Sequence, residues 1–417
     1  MNNNIKNNLG IHLRNILTIA SWGLYDFANT MFSMNIVTLY FALWIVIEKG
    51  GQDIYYSLAL STSMIIAAIL EPILGAVSDK QKSKMPYLVF FTILCCIFTG
   101  MIRISDSLLW GLIFFSVANL AYQVGAIFYN ALLFDVSKSF DVGRISGVGV
   151  SLGYIGAITG MILVKPFVLS YGYRAAFIPT AIYFFLFALP CFLFVKEREQ
   201  NKINLSDFLN LSIFKSAFLR IKQTFIDTKS FPGLRTFIIA SFIFLNAVST
   251  VIIFMAIYTK KVMGFSDSEI HTFFIMSTIF AAAGSIIFGV VTDKLGSLKA
   301  TKFMLKIWML SLGLAAVSFN KLCFWFIGPL IGISLGTTWV STRALAIHLC
   351  PKEKVGEIFG LLGLTGKSSA IIGPLVWGVV VWAFGSLGIL KYRIAILVQL
   401  LFIYLGYKII KKITCIR

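Results

Sequence analysis

The chain has 417 residues, of which 58% are hydrophobic, 15% are aromatic and 13% are charged. Soluble proteins carry about 25% charged residues, so this composition excludes a water-soluble enzyme. The formal net charge is +19, from 36 Lys and Arg against 17 Asp and Glu. In a soluble chain this excess would indicate nucleic acid, but apolar stretches of roughly 20 residues recur here, each able to cross a ~30 Å hydrocarbon layer. The chain is therefore predicted to be a polytopic membrane protein whose partners are the lipid bilayer and a small solute, with no nucleic acid.

Twelve apolar spans are predicted, and they follow one another through the whole chain. In order, spans 1 to 12 cover residues 16–47, 54–78, 85–105, 108–133, 147–171, 174–195, 233–259, 269–291, 301–319, 322–348, 356–385 and 391–410. Most Lys and Arg residues lie in the connections and tails on one side of these spans. The positive-inside rule makes that side cytoplasmic, so both termini are predicted to be cytoplasmic. Odd-numbered spans then run outward, and the short connections indicate a bacterial inner membrane.

An internal duplication orders the chain. Segment 129–160 aligns with segment 342–373, and four glycines of the first superimpose on four of the second: Gly143, Gly147, Gly153 and Gly160 on Gly356, Gly360, Gly366 and Gly373. The alignment predicts an all-α fold of two six-helix halves in the same orientation, residues 1–195 and 233–417. Such a parallel duplication is typical of two bundles that rock about a site between them. Alternatively, repetition is only an economical way to build a large helical protein.

Residues 196–232 form the longest polar connection of the chain. Five apolar residues recur there at helical spacing, while the basic residues fall largely elsewhere on the helical wheel: Leu211, Phe214, Phe218, Ile221 and Phe225. This pattern predicts a cytoplasmic linker with an amphipathic helix that lies on the membrane surface. Binding of a partner is the alternative interpretation.

An acidic residue at membrane depth is costly, so it needs a partner, water or a function. Asp26 lies well inside span 1, and three polar residues fall near its face at the helical period: Asn29, Ser33 and Tyr40. This stripe is predicted to line a central cavity. A low-dielectric cavity favours the neutral carboxyl, which suits Asp26 to load and release a coupling proton. Alternatively, Asp26 pairs with a cation such as Arg343 or Lys367 and only holds helices together.

Three further spans carry polar residues at helical spacing. They are Asn246, Thr250 and Tyr258 on span 7, Asn119, Gln123 and Asn130 on span 4, and Thr338, Ser341 and Thr342 on span 10. These residues are predicted to line the same cavity, although Ser and Thr in membrane helices often bond only to their own backbone. Two basic residues within spans 10 and 11, Arg343 and Lys367, are assigned to the same solute and proton pathway.

Glycines recur on spans 5 and 11, where they predict faces for close helix packing. They are Gly147, Gly149, Gly153 and Gly156 on span 5, and Gly360, Gly363 and Gly366 on span 11. Glycine has no side chain, so a neighbouring helix can approach its backbone directly.

Two matching motifs end the second span of each half: Gly75-x-x-x-Asp79 followed by Lys80, and a weaker copy at Gly289-x-x-x-Asp293. They resemble the loop signature of the major facilitator superfamily of secondary transporters. Gly75 would let span 2 pack closely on its neighbour. Asp79 could accept hydrogen bonds at a helix start or pair with a basic group, which would latch the two halves on the cytoplasmic side.

Four further stretches narrow the resemblance. They are W-G-L-Y-D-F-A-N at 22–29, Y-N-A-L-L at 129–133, G-R-I-S-G-x-G-x-x-L-G-Y-I-G at 143–156 and G-K-S-S-A-I-I-G-P at 366–374. Together they resemble the vacuole-effluxer-like branch of the superfamily, which includes the autophagy-related amino-acid effluxers of fungal vacuoles. The resemblance implies the major facilitator fold, transport by alternating access and amino acids as candidate solutes.

The resemblance also implies a charge pair. In this superfamily spans 2 and 11 face each other across the two halves, and this places Glu71 of span 2 opposite Lys367 of span 11. Lys367 lies too deep to reach the surface easily by extending its side chain. A pair that forms in one state and breaks in another would bias alternating access, and a permanent structural pair is the alternative.

The sequence contains no cluster that indicates an enzyme, a metal centre or a cofactor. The cysteines show no C-x-x-C spacing, the histidines lie far apart, and motifs such as H-x-x-x-H or D-D-x-x-D are absent. We therefore predict no enzyme activity, no metal and no cofactor. The predicted function is secondary active transport of a small polar solute, with amino acids and proton coupling as the finer hypothesis, by a protein that works as a monomer. A transporter-like receptor or a lipid-handling membrane protein is the alternative.

Overall fold

The structure, a computed structural model, describes residues 2–81, 83–136, 142–197, 219, 223, 225–231, 233–350 and 355–413. Within these ranges the secondary structure is helical and contains no strand. Helix α1 is continuous but changes its winding along its length. It is α-helical over Asn2–Phe32, π-helical over Ser33–Tyr40, α-helical over Phe41–Leu43 and π-helical over Trp44–Glu48.

Eleven further long helices follow α1 in the part of the chain that the structure describes. They are α2 (Asp53–Gln81), α3 (Met85–Ile104), α4 (Leu108–Val136), α5 (Val142–Tyr171), α6 (Phe177–Phe194), α7 (Leu234–Lys261), α8 (Asp267–Leu295), α9 (Ser297–Val317), α10 (Lys321–Leu349), α11 (Val355–Ala383) and α12 (Leu390–Lys411). Each of the helices α1 to α12 contains a stretch long and apolar enough to cross a membrane. The twelve predicted spans are therefore confirmed, and their ends differ from the observed ones by only a few residues.

Local sequence explains where α8 begins and ends. The Ser266 hydroxyl accepts the backbone N–H of Glu269 at 3.3 Å, and the Glu269 carboxylate accepts the N–H of Ser266 at 2.7 Å. This reciprocal capping box satisfies two amides at the start of the helix. Gly296 follows α8 with φ of 84°, a conformation that favours glycine. The chain therefore reverses directly into α9, so the two helices are neighbours.

The chain divides into two compact units. The first contains Met1–Tyr40 and Ile69–Phe214, and the second contains Phe41–Ala68 and Lys215–Arg417. The end of α1 and the first part of α2 therefore pack with the second unit. Helix α1 passes from one unit to the other where its π-helical stretch Ser33–Tyr40 ends.

The two predicted halves, residues 1–195 and 233–417, are defined by the duplication of the sequence. A division of the chain by packing does not test a duplication, so the halves stay a prediction. Within the linker 196–232, Phe225 lies in a helical turn, with the Arg235 guanidinium 5.4 Å from the centre of its ring. Four apolar positions of the predicted amphipathic helix lie outside the described residues: Leu211, Phe214, Phe218 and Ile221.

In the first unit, α5 packs on α1 through a row of glycines. A Cβ added at Gly156 would lie 2.1 Å from the carbonyl oxygen of Phe27, and one at Gly160 would lie 2.3 Å from Cγ of Met31. No side chain fits at such distances, so the helices approach this closely because glycine is present. The packing face predicted on span 5 is confirmed at Gly149, Gly153 and Gly156, with distances below 3 Å, but it is wrong at Gly147, where a Cβ would meet nothing within 4 Å.

The second unit repeats this packing between α11 and α7, but not at the glycines predicted for it. A Cβ at Gly373 would lie 2.3 Å from the carbonyl oxygen of Asn246. Gly373 is the duplication partner of Gly160, so α5 meets α1 and α11 meets α7 at equivalent positions. The predicted face of span 11 is wrong, because a Cβ would meet nothing within 4 Å at any of its three glycines: Gly360, Gly363 and Gly366.

The two motif glycines do not mark close helix crossings either. The nearest atom to a Cβ at Gly75 is Cγ2 of Ile127 at 4.0 Å, an ordinary van der Waals distance, and a Cβ at Gly289 meets nothing within 4 Å. The close approach predicted at Gly75 is therefore not required. In contrast, α10 lies directly on α8, where a Cβ at Gly336 would lie 1.9 Å from the carbonyl oxygen of Ala281.

The contact at Gly156 leads to a test of stability. Gly156→Ala should lower the apparent Tm in detergent, because the added methyl group would overlap the Phe27 carbonyl and overpacking costs about 1–3 kcal/mol. Gly360→Ala is the matched control, since its Cβ meets nothing within 4 Å. That variant should unfold at or above the wild-type temperature, because alanine favours the helix. Unfolding is measured by tryptophan fluorescence as the temperature rises. Equal melting temperatures for Gly156→Ala and the wild type would contradict the packing.

Candidate functional site

Three aromatic side chains join α1 to α4 in the first unit. The Trp22 ring stacks on Tyr129 with centroids 4.6 Å apart, and the Trp22 indole N–H donates to the Tyr129 carbonyl oxygen at 3.2 Å. Tyr25 also stacks on Tyr129, at 4.9 Å, and its hydroxyl lies 2.8 Å from Oγ1 of Thr92 on α3. All three rings are buried. They fix the rotation of α1, and hence the direction in which Asp26 points.

Asp26 lies against the backbone of α5. A Cβ added at Gly153 would lie 3.3 Å from Oδ2 of Asp26 and 2.8 Å from Oγ1 of Thr30. The absence of a side chain at this position therefore makes room for the carboxylate. Asp26 itself is half-buried, as expected for a charged group that retains some access to solvent.

Hydroxyl and amide groups of α1 and α4 complete a polar cluster around Asp26. The Tyr122 hydroxyl lies near Ser33 and Asn29, and the charge of Asp26 acts on both Tyr122 and Tyr129. Asn29 is buried and Ser33 is half-buried. The structure thus brings the predicted residues Asp26, Asn29 and Ser33 together. It also adds Tyr122, which no sequence pattern distinguishes from the other tyrosines of the apolar spans.

Tyr40 and the polar residues of α4 occupy other environments. The chain from Ser33 to Tyr40 is π-helical, so the 3.6-residue spacing that predicts Tyr40 on the face of Asp26 does not apply there. Tyr40 is 1% exposed and fully buried. Along α4, burial decreases steadily through the three predicted positions: Asn119 is buried, Gln123 is half-buried and Asn130 is exposed. Their place in a solute pathway stays a prediction.

In the second unit, Asn246 and Thr250 bond mainly to the backbone of their own helix. The Asn246 amide N–H donates to the Phe242 carbonyl oxygen at 2.6 Å, and the Thr250 hydroxyl donates to the Asn246 carbonyl oxygen at 2.7 Å. The Ser369 hydroxyl of α11 donates to the same Phe242 oxygen at 2.9 Å. The Asn246 Oδ1 atom is buried and meets no hydrogen-bond donor among the described residues. A buried amide oxygen of this kind is completed by water or a ligand.

The hydroxyl groups of the α10 stripe bond to the backbone of their own helix, which is the alternative to lining a cavity. Thr338, Ser341 and Thr342 each donate to the carbonyl oxygen four residues earlier, at 2.6–2.8 Å. The Trp308 indole N–H of α9 donates to the Thr338 hydroxyl at 2.9 Å. This stripe therefore packs on α9 and satisfies itself locally.

The remaining predicted residues are distributed over both units. Glu71 is buried in the first unit, Lys367 is half-buried in the second, and Arg343 is exposed. Because Glu71 and Lys367 belong to different units, their pair stays a prediction. Of the loop motif, Asp293 is exposed, while the side chains of Asp79 and Lys80 lie outside the described residues.

The connection that follows the motif is held by charges within the first unit. The Lys84 ammonium bonds to Oδ2 of Asp135 at the end of α4, at 2.8 Å. The Glu197 carboxylate accepts the backbone N–H groups of Lys84 and Met85, the latter at 2.7 Å. An anion at the start of α3 also complements the helix dipole. These contacts join the start of α3 to the ends of α4 and α6, and the sequence analysis missed them.

A second buried carboxylate lies at the start of α2, in the second unit. Asp53 is 3% exposed. Its Oδ1 accepts the Trp377 indole N–H at 3.3 Å, and its Oδ2 accepts the Tyr392 hydroxyl at 3.2 Å. Sequence reasoning placed Asp53 in the connection before span 2, where an acid is usually a solvated helix cap. Asp53 is buried only because α11 and α12, which are distant from it in sequence, pack against it.

Asp53 lines a cavity of about 370 Å³. The cavity lies where α1 ends, α2 begins and α11 connects to α12, and all of its lining residues belong to the second unit. Its charged lining residues are Asp53, Lys261 and Lys391. In the described ranges, no group of three or more His, Cys, Asp or Glu is placed to hold a metal ion.

Three motifs of the predicted resemblance, at 22–29, 129–133 and 143–156, meet near Asp26, and comparison with known families gives the same assignment. The sequence profile of the Major Facilitator Superfamily matches residues 25–374. The chain belongs to this superfamily. It is a multi-pass integral membrane protein with the major facilitator fold, and it is a transporter of that superfamily.

Relatives of the chain include bacterial and fungal proteins. An uncharacterized MFS-type transporter of Bacillus subtilis, YxiO, is 26% identical over 397 residues, and the match covers 90% of this chain and 91% of that protein. Autophagy-related protein 22 of Yarrowia lipolytica is 19% identical over 300 residues, covering 64% of this chain and 50% of that protein. The resemblance to the vacuole-effluxer-like branch is therefore confirmed, at low identity.

Solved structures share the fold. The nucleoside transporter NupG superimposes with a TM-score of 0.73 at 15% identity, over 95% of this chain and 98% of that chain. A bacterial homolog to the human lysosomal transporter Spinster, in an inward-facing and unoccupied conformation, superimposes with a TM-score of 0.74 at 13% identity, over 95% and 96% of the two chains. At these identities the likeness concerns the fold alone.

The environment of Asp53 leads to a second test of stability. Tyr392→Phe should lower the apparent Tm by a few degrees, because a buried carboxylate oxygen that loses its donor costs about 1–3 kcal/mol. Tyr404→Phe on the same helix is the matched control, since Tyr404 is exposed, and it should leave the Tm unchanged. The two variants are compared by thermal unfolding in one detergent. Identical shifts would show that the bond to Asp53 contributes nothing.

Proposed function

We propose that the chain moves amino acids across the membrane by alternating access and couples this transport to protons through Asp26. One observation carries the proposal: an acid at membrane depth lies in a polar cluster of α1, α4 and α5, where three motifs of the vacuole-effluxer-like resemblance meet. The motifs are those at 22–29, 129–133 and 143–156. The amino-acid effluxers of that branch supply the class of solute.

The surroundings of Asp26 suit reversible protonation. A buried charge costs at least a few kcal/mol in the membrane, so a carboxyl whose access to water changes will take up and release a proton. The hydroxyl of Tyr122 and the amide of Asn29 can bond with either protonation state, because both groups donate and accept. Each proton that crosses 100 mV contributes about 2.3 kcal/mol, enough for roughly fifty-fold accumulation of a neutral solute.

Transport in proteoliposomes tests the role of Asp26. The wild type should accumulate labelled amino acids from a panel when a pH gradient and membrane potential are imposed. Asp26→Asn should reduce the accumulation ratio to about one, since amides do not titrate, while exchange of labelled for unlabelled solute continues. Asp106→Asn is the matched control, because Asp106 is an exposed acid of the α3–α4 connection. Gradient-driven accumulation by Asp26→Asn at the wild-type level would refute the coupling role.

We further propose a bacterial inner-membrane location and activity as a monomer, and, on the basis of the charge distribution, cytoplasmic termini. Cysteine labelling in a cysteine-free background tests the orientation. Ser107→Cys, between α3 and α4, should react with a membrane-impermeant maleimide in intact cells. Ser297→Cys, at the start of α9, should react only after permeabilisation. The reverse pattern would invert the topology.

A further inference from the structure

We propose that the cavity lined by Asp53, Lys261 and Lys391 is a binding site for a small zwitterion with an apolar side chain, the chemical class of the α-amino acids. This site is distinct from the polar cluster around Asp26, because its lining residues all belong to the second unit. The inference shares with the proposed function only the class of solute. It concerns binding, and it stands whether or not the solute is accumulated.

The size of the cavity fits a small molecule. Its volume of about 370 Å³ falls at the lower end of the roughly 300–1,000 Å³ found for ligand pockets. Part of its wall is apolar, formed by Val46, Ile54, Val381 and Trp382. This wall would cover an aliphatic side chain of the solute. A wholly polar ligand would leave that apolar surface in contact with water, which is unfavourable.

The acid of the cavity is oriented but retains acceptor capacity. Trp377 donates to one oxygen of Asp53 and Tyr392 donates to the other. Each carboxylate oxygen can accept a second hydrogen bond, so Asp53 can still receive an ammonium group. Since Asp53 is 3% exposed, water solvates it poorly. A charged donor from a ligand therefore gains more here than at an exposed carboxylate.

Positive charge faces the same cavity. Lys261 and Lys391 line it, and the charge of Lys391 acts on Asp53. Helices α2 and α12 both begin at its wall, and helix N-termini favour an anionic group. The two lysines outnumber the one acid, so a lone cation is disfavoured and a carboxylate is favoured. A zwitterion matches both signs at once, with its ammonium on Asp53 and its carboxylate on the lysines.

The test uses the full-length protein in lipid nanodiscs, where both faces are accessible, and saturation-transfer difference NMR, which detects weak ligands. Three probes separate the charges: leucine, 4-methylpentanoate, which lacks the ammonium, and 3-methylbutylamine, which lacks the carboxylate. Leucine should bind more tightly than either analogue. Lys261→Gln and Lys391→Gln should each weaken leucine and 4-methylpentanoate by about tenfold or more, the loss expected for a charge-assisted hydrogen bond.

Asp53→Asn should weaken leucine by a similar factor while 4-methylpentanoate binds at least as well as before, because the repelling carboxylate is gone. Lys260→Gln is the matched control for Lys261→Gln: Lys260 pairs with Asp267 at 2.5 Å and does not line the cavity. It should leave the binding of all three probes unchanged. The lysine variants keep the test decisive should Asp53→Asn fail to fold.

Two results would overturn the site: no leucine binding, or leucine binding that Asp53→Asn and both lysine variants leave intact. The second result would place leucine elsewhere in the protein and leave the proposed function standing alone. Leucine binding that follows the cavity variants in a protein that accumulates no amino acid would sustain the site and contradict the proposed function. The two proposals can therefore fail separately.

Discussion

Direct contact between helix backbones, which glycine allows, is the constraint on which the first unit depends. In a bilayer, helices gain little by burying apolar surface, because lipid is equally apolar, so they associate through close packing and hydrogen bonds. The approach of α5 to α1 at Gly156 and Gly160 supplies such packing. The same contact, at Gly153, leaves room for the carboxylate of Asp26. One row of glycines thus allows both the close helix packing and the polar cluster. In the second unit, Gly373 allows an equivalent contact between α11 and α7.

The polar groups inside the helices fall into two classes. Most hydroxyls, such as those of Thr250 and Ser341, donate to the carbonyl oxygen one turn back on their own helix. This local bond satisfies them without a neighbour, so their presence in a span says little about a cavity. Asp26 and Asp53 differ, because their surroundings are assembled from helices distant in sequence. For this reason both acids mark candidate sites.

The π-helical stretch of α1 has consequences for how the acids are distributed. Asp26 precedes this stretch and packs in the first unit, whereas the end of α1 and the start of α2, including Asp53, pack in the second. A wider helical turn alters the direction in which later residues point. The two acids therefore have different neighbours: the Gly153 backbone of α5 and tyrosine side chains of α4 for Asp26, and aromatic donors of α11 and α12 for Asp53. A proton site and a separate solute-binding site can coexist in this arrangement.

The sequence by itself determined the twelve spans, the duplication and the family, because the thickness of the bilayer sets the length of an apolar run and the motifs are local. It also identified Asp26, Asn29 and Ser33 as neighbours, since α1 is regular up to Phe32. Only the tertiary structure decided that Thr338 bonds to Trp308, that Gly373 rather than Gly360 meets another helix, and that Asp53 is buried. Helical periodicity reports which residues share a face, but the partner of that face comes from a helix far away in the chain. Where the winding itself changes, as before Tyr40, even the shared face is set by packing.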